Sequence, residues 1–260
     1  MTRLDELPSR WRQDRLVCSD AVGLERSRLE VDGDALVTVA AHRSGTSVAA
    51  YGPDGAAARL VTALVSSGRL RGPLHWLTLP RDGDLASDVA AALDVEPLPG
   101  WDWLSTDTAP PPQPRETDVV RLDPAADAES IRECLRAANP GTEADPAGPH
   151  EAGWWGVASN DGGLLGVIGA SRRGAAEPGH ATWHLHGLGV HPVARRQGLG
   201  RALTAAAVGD ALRAGSPWVS LGVWADNDAA LAMYAALGFR TDHQRRSYRP
   251  VGLPATHPGH

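Results

Sequence analysis

Two histidines, His184 and His186, stand two apart in the run Thr-Trp-His-Leu-His-Gly-Leu-Gly-Val. An arginine- and glycine-rich segment follows, Arg195-Arg196-Gln197-Gly198-Leu199-Gly200-Arg201. On a strand, i, i+2 spacing puts both imidazoles on one face. Histidine exchanges protons near neutrality, so such a pair can take a proton from a nucleophile directly or through water. Glycines at 198 and 200 let the backbone approach a ligand with no Cβ in the way. A helix opening there offers first-turn N–H groups without partners and the positive end of its dipole. Arg195, Arg196 and Arg201 add donors that suit a pyrophosphate. Alone, this loop is equally an ordinary tight strand–helix turn, and the histidines are equally the polar face of a strand lining a wet cleft. A zinc site would need a third ligand, and no Cys or second His pair supports closure, so no metal is expected.

These residues need a strand leading into a helix, and the surrounding pattern supplies one. After the proline run at 109–114 the chain reads as a strand over 117–122 and a helix over 126–138, with Ile131 and Leu135 on one face. A polar loop, 139–153, comes next. Strands over 154–159 and 164–171 flank Asn160-Asp161-Gly162-Gly163, a hairpin signal. A strand over 182–191 carries the histidines into a helix over 196–214, with His191 beginning the turn. A strand over 218–224 leads to a helix over 228–237, capped by Asn227 and ended by Gly238. A last strand runs over 239–248. The fold class is mixed α/β around one central sheet.

The first half has a related pattern: strands over 35–41 and 47–51, a helix over 56–66, a strand over 74–79, a helix over 84–93 and a strand near 101–105. A shift of 144 lays 73–95 on 217–239 without gaps, pairing Pro73 with Pro217, Leu77 with Leu221, Asp82 with Asp226 and Asp84 with Asp228. The expected organisation is an N-terminal domain over 1–108, a proline-rich linker over 109–116, a catalytic domain over 117–250 and a tail over 251–260.

Composition narrows the classes. The chain has 260 residues, 42% apolar and 22% charged, the balance of a folded protein. A formal charge of −6 argues against nucleic acid as a partner. No apolar stretch approaches a membrane span, and the charged N-terminus lacks an apolar leader core, so a cytoplasmic protein is expected. Cys18 and Cys134 are the only cysteines, which excludes a disulfide scaffold. All 25 basic residues are arginine, so no catalytic lysine exists. The Ala-, Gly- and Arg-rich usage points to a GC-rich bacterial genome.

Together with the glycine loop, the string Asn227-x-x-Ala230-x-x-x-Tyr234-x-x-x-Gly238-Phe239 makes residues 117–248 resemble the GCN5-related N-acetyltransferase (GNAT) superfamily, in its FR47-like branch. The resemblance implies a GNAT fold, repeated in tandem with a degenerate first copy, and acetyl-CoA as co-substrate. By it, the backbone of Leu188, Gly189 and Val190 pairs with the pantetheine arm. The segment Arg195, Arg196, Gln197, Gly198, Leu199, Gly200 and Arg201 wraps the pyrophosphate, and Asn227 reaches the pantetheine or adenylate side. Tyr234 is the proton donor to the leaving thiolate, or else plain core. Many relatives place a Glu on the fourth strand as base. This chain has His184 and His186 there, similar to the strand of arylalkylamine N-acetyltransferases. In the first half, Gly52 replaces the arginine, Asp54 puts a negative charge in the loop, and Ala90 stands for Tyr234. The expected activity is direct transfer of acetyl to a primary amine of a small molecule or peptide, by a monomer or homodimer. The alternative is a non-catalytic acyl-CoA-binding sensor or scaffold. Substrate choice is expected from 139–153 and 243–248, with Trp154, Trp155, Trp183 and Trp224 as a possible aromatic wall.

Overall fold

The computed structural model describes residues 2–43, 45–53, 55–160, 162–174 and 181–253. Asp54 in the first glycine loop, Asp161 in the hairpin signal and the tail from Pro254 lie outside the described residues. The chain divides into two compact units. One holds the described residues of 1–103, 224–226 and 242–258, and the other holds 104–223 and 227–241.

The N-terminal unit begins with three short helices, α1 (Ser9–Arg12), α2 (Arg15–Ser19) and α3 (Ala21–Leu24). There follow β1 (Arg28–Asp32), β2 (Ala35–His42), β3 (Gly45–Tyr51), α4 (Ala56–Ser66), β4 (Leu74–Pro80), α5 (Ser87–Leu93) and β5 (Val95–Thr106). In α4 the apolar positions Ala57, Leu60, Val61 and Leu64 recur at helical spacing. They pack on Val37, Val48, Leu74, Leu77 and Leu79. Each such fully buried aliphatic chain contributes about 1.5–3 kcal/mol. Leu7, Trp11, Val17 and Leu24 form a second cluster with Leu36 and Tyr51. The first-half reading anticipated β2 through β5 but not β1 or the N-terminal helices.

The C-terminal unit contains β6 (Val119–Leu122), α6 (Ala128–Ala138), β7 (Glu151–Ala158), β8 (Leu164–Arg173), β9 (Thr182–Val190), α7 (Leu199–Arg213), β10 (Val219–Trp224) and α8 (Asp228–Ala236). Its strands lie in the order β10-β9-β8-β7-β6. All neighbours are antiparallel except β9 and β10, which run parallel. Alternation along β7 decides the two cores. Trp154 packs with Ile131, Cys134, Leu135 and Val167 under α6. Trp155 faces the other way, with Trp183, Leu185, Leu199, Leu203 and Val208 under α7. The four tryptophans therefore form no single wall: Trp154 and Trp155 are buried on opposite faces, and Trp224 belongs to the other unit. Adjacent strand residues cannot share a face.

The last strand, β11 (Arg240–Pro250), differs from the sequence expectation. It does not extend the C-terminal sheet. From Arg245 to Tyr248 it pairs antiparallel with Pro80 to Leu77, and it lies between β4 and β5 in the N-terminal unit. Sequence patterning sets which face of a strand is apolar but not which edge it joins. Among the described residues no helix is long and apolar enough to cross a membrane.

Candidate functional site

The site follows from how β9 ends. Beside β10 it is paired only at Trp183, His184 and Leu185, opposite Val219, Ser220 and Leu221. Toward β8 the pairing shifts register between Val167 and Gly169, where Gly187 takes a left-handed φ of 59°. That bulge re-aims the strand. Leu188, Gly189 and Val190 therefore keep β8 on one side and have no strand pair with β10 on the other. Asn139 Nδ2 lies 3.4 Å from the Leu188 carbonyl, which it caps.

Beyond β9, Pro192–Ala194 makes a single 3-10 turn, and α7 starts at Leu199 instead of 196. Gly198 is its N-cap, with φ 79° and no side-chain cap, so the first-turn N–H groups stay available. Arg196 also has positive φ, 65°. A Cβ built at Gly198 meets nothing within 4 Å, so glycine serves the backbone conformation there. At Gly200 a Cβ would touch Met233 Sδ at 3.4 Å. Arg196, Gln197 and Arg201 are exposed and Leu199 is buried. Arg195 has a bracing role: Nε donates to the Val190 carbonyl and an Nη to that of Ala138, each at 3.2 Å. It ties the end of β9 to the end of α6. These features fit a pyrophosphate and an extended arm: an uncapped helix start, an open strand edge and two exposed arginines.

His184 and His186 share the face turned toward α6, since Trp183 and Leu185 between and beside them lie in the α7-side core. They do not have the same neighbours. His184 is buried, with Nδ1 2.9 Å from Ser220 Oγ on β10. His186 turns to β7, its ring 5.3 Å from that of Trp154 and edge-on to it. Its Nε2 lies 3.2 Å from Glu151 Oε1. Both side chains are mostly buried, 17% and 13% exposed. The register places Glu151 opposite Ser171, Ser171 opposite His184, and His184 opposite Ser220. A row of polar side chains thus crosses four strands. Sequence reading passed over Glu151 because it stood in a segment assigned as loop. The signal that could have found it is Glu151-Ala152-Gly153 running directly into the apolar strand residues Trp154 and Trp155.

Tyr234 is buried on α8 in the α7-side core, its ring 5.6 Å from Phe239. Burial pushes its phenol well above the ordinary range, so the hydroxyl keeps its proton at neutral pH. Asn227 Oδ1 accepts from the Ala230 N–H at 3.1 Å and caps α8, while Gly238 ends that helix with φ 88°. Cys134 is buried, which raises its thiol to about 11 and leaves it a poor nucleophile. Among the described residues no group of three or more potential ligands could hold a metal ion.

Comparison with known proteins agrees with this geometry. Residues 118–239 match the Acetyltransferase (GNAT) family. The chain is 40% identical over 99 residues to the N-alpha-acetyltransferase RimI of Mycobacterium tuberculosis, covering 38% of this chain and 60% of that protein. It is 44% identical over 69 residues to the mycothiol acetyltransferase of Kocuria rhizophila, covering 26% and 23%. The chain thus covers less than two thirds of these curated relatives. A GCN5-related N-acetyltransferase from Kribbella flavida superposes with a TM-score of 0.56 at 18% identity, over 93% of this chain and 96% of that one, which is a likeness of fold. The matched region, residues 118–239, holds the bulged strand, the glycine-started helix and Tyr234, and it is this part of the chain that is similar to the GNAT acetyltransferase family.

Proposed function

We propose that this protein is an acetyl-CoA-dependent N-acetyltransferase whose acceptor is a primary amine of a small molecule or peptide. The observation that carries the reading is the unpaired edge of β9 past Leu185, leading straight into the uncapped start of α7 at Gly198. An extended pantetheine arm pairs with such an edge as an added strand, and a pyrophosphate sits on such a helix start. Leu188, Gly189 and Val190 would hold the arm. The loop Arg196–Arg201 would hold the phosphates, with Arg195 fixing its base. Acetyl-CoA supplies an activated thioester for direct attack by the amine. Tyr234, kept protonated by burial, would donate to the leaving sulfur. His184 and His186 are the candidates for removing the amine's proton. The relatives' names support an amine acceptor: RimI of Mycobacterium tuberculosis is an N-alpha-acetyltransferase, and an Escherichia coli relative, 41% identical over 67 residues, acts on an alanine of ribosomal protein bS18.

We read the N-terminal unit as a GNAT-like copy that no longer binds acetyl-CoA, which leaves one cofactor site per chain. The test is a panel of amines, including N-terminal peptides, assayed by release of free thiol from acetyl-CoA. At least one amine should raise thiol release tenfold or more over the amine-free rate, and the Tyr234→Phe variant should lose most of that gain. Acetyl-CoA binding with no amine-dependent release across the panel would overturn the enzyme reading in favour of an acyl-CoA sensor.

A further inference from the structure

Four buried polar atoms without a hydrogen-bond partner gather on the α6-side face of β7, β8 and β9: Glu151 Oε2, Trp154 Nε1, Ser171 Oγ and His186 Nε2. Buried polar atoms are nearly always satisfied, so a cluster of orphans marks a place arranged for something other than stability. His186 Nε2 and Glu151 Oε1 stand 3.2 Å apart, a close contact that is not aligned as a hydrogen bond. Catalytic hydrogen bonds commonly stand loose in this way before substrate binds.

We propose that Glu151 is the positioning residue for His186. Its carboxylate fixes the imidazole as the Nε2–H tautomer and leaves the Nδ1 lone pair to take the acceptor's proton. This rests on the acetyl-transfer reading above. An ionised carboxylate only accepts hydrogen bonds, so the ring nitrogen facing it must carry the hydrogen. When Nδ1 takes the ammonium proton, the ring becomes a cation beside a negative oxygen and no second proton has to move. A carboxylate that orients a histidine base supports catalysis by holding one tautomer and stabilising that cation.

Two glycines keep the pair in place. A Cβ at Gly169 would stand 2.6 Å from His186 Cε1, and one at Gly148 would stand 2.8 Å from Glu151 Oε1. Side chains at either position would collide with the pair. Gly148 offers a second handle, because the nearest atom alanine would meet there is the far end of the Glu151 side chain, with the Asp145 carbonyl oxygen next at 3.2 Å.

The test is nitrogen NMR on the full chain labelled at histidine, with the His186 signals assigned by their loss in His186→Asn. The wild type should show His186 as the Nε2–H tautomer. Glu151→Gln should convert it to a mixture containing Nδ1–H. With the best amine, kcat should fall 10- to 100-fold while the KM for acetyl-CoA stays within twofold, and Gly148→Ala should fall between. An Nδ1–H tautomer in the wild type overturns the proposal. So does a Glu151→Gln protein with unchanged tautomer and kcat within twofold. If Glu151→Gln does not fold, the wild-type tautomer and Gly148→Ala decide. If no amine turns over, the acetyl-transfer reading has failed, and the tautomer measurement still judges the Glu151–His186 contact by itself.

Discussion

Gly169 is where fold and site meet, and Gly169→Ala measures how tightly. The new methyl would lie 2.6 Å from His186 Cε1 and 2.7 and 2.8 Å from Trp154 Cζ2 and Cε2. Carbon atoms pack best at about 3.5–4.0 Å, so each contact is short by roughly 1 Å. Trp154 has no exposed surface and Val167 lies in its cluster, so the indole cannot step aside. Overpacking of this kind costs about 1–3 kcal/mol. Replacing a glycine returns about 0.4–1 kcal/mol by restricting the unfolded chain. The net loss is about 1.3 kcal/mol at the middle of these ranges. At roughly 2–4 °C per kcal/mol for a domain of this size, the melting temperature should drop by about 3–5 °C. The assay is scanning calorimetry of the full chain, with the relevant transition identified as the one acetyl-CoA raises. Gly141→Ala is the control, because a Cβ there meets nothing within 4 Å. If Gly169→Ala melts no lower than Gly141→Ala, the packing of Trp154 against His186 over a bare strand is wrong.

Gly198→Val should lower acetyl-CoA affinity tenfold or more, about 1.4 kcal/mol, because valine resists a φ of 79° and its branches face the phosphate approach; calorimetric titration of the folded variant checks it. Tyr234→Phe keeps the ring contact with Phe239, so acetyl-CoA affinity should hold while kcat falls about 10²-fold in the thiol-release assay. Arg132 holds Asp145 through two 2.9 Å hydrogen bonds, depressing its carboxyl from 3.8 to about 2. A depressed carboxyl stabilises above its unfolded pKa and loses that contribution as pH falls. Proteolysis of the 139–150 segment should therefore quicken between about pH 4 and pH 2 in the wild type, and be uniformly fast and less pH-dependent in Asp145→Asn; the pair is half-exposed, so the change should be small. Calorimetric stoichiometry should be one acetyl-CoA per chain, and a value of two would show that the N-terminal unit still binds.

Most of the C-terminal scaffold was legible because its signals are local. The hairpin signal at 160–163 marked the start of β8, Asn227 and Gly238 bracketed α8, and the glycine loop marked the approach to α7. The helix start moved from 196 to 199 because a 3-10 turn and two positive-φ residues occupy the junction, a backbone detail that composition does not carry. The shared face of His184 and His186 followed from period 2. Their separate partners did not, since Ser220 and Glu151 come from strands 36 and 35 residues away in sequence. The edge joined by β11 was equally out of reach. Strand order depends on long-range pairing, and 240–250, polar at nearly every position, carries no apolar face that would assign it to an edge.

The likeness between the two halves is better defined in backbone than in sequence. Helix α4 starts from Gly55 with φ 70° and ψ 7°, as α7 starts from Gly198 with φ 79° and ψ 1°, and neither has a side-chain cap. Strands β3 and β4 run parallel and pair from Thr46 to Ala49, as β9 and β10 pair over Trp183–Leu185. The halves part at the next residue. In the C-terminal unit β10 does not pair with β9 from His186 onward, and the carbonyls of Leu188 and Val190 accept only from the side chains of Asn139, which is half-buried, and Arg195, which is exposed. In the N-terminal unit the carbonyl of Ala50 accepts from an Nη of Arg245 at 2.9 Å. That guanidinium lies 4.9 Å over the ring of Tyr51, which is itself packed against Trp11, Val17 and Leu24. Arg245 is fully buried, and burial lowers its pKa to about 10, which still leaves it a cation at neutral pH. The stretch of β3 that corresponds in pairing to the end of β9 thus holds a buried charge delivered by β11. A ligand could pair there only by displacing a guanidinium from its one hydrogen bond and its aromatic contact, leaving a buried cation without a partner, at a cost of several kcal/mol. The buried Arg245 contact therefore supports the proposal that the first unit does not bind acetyl-CoA, on a physical ground independent of Gly52 standing where the arginine would be.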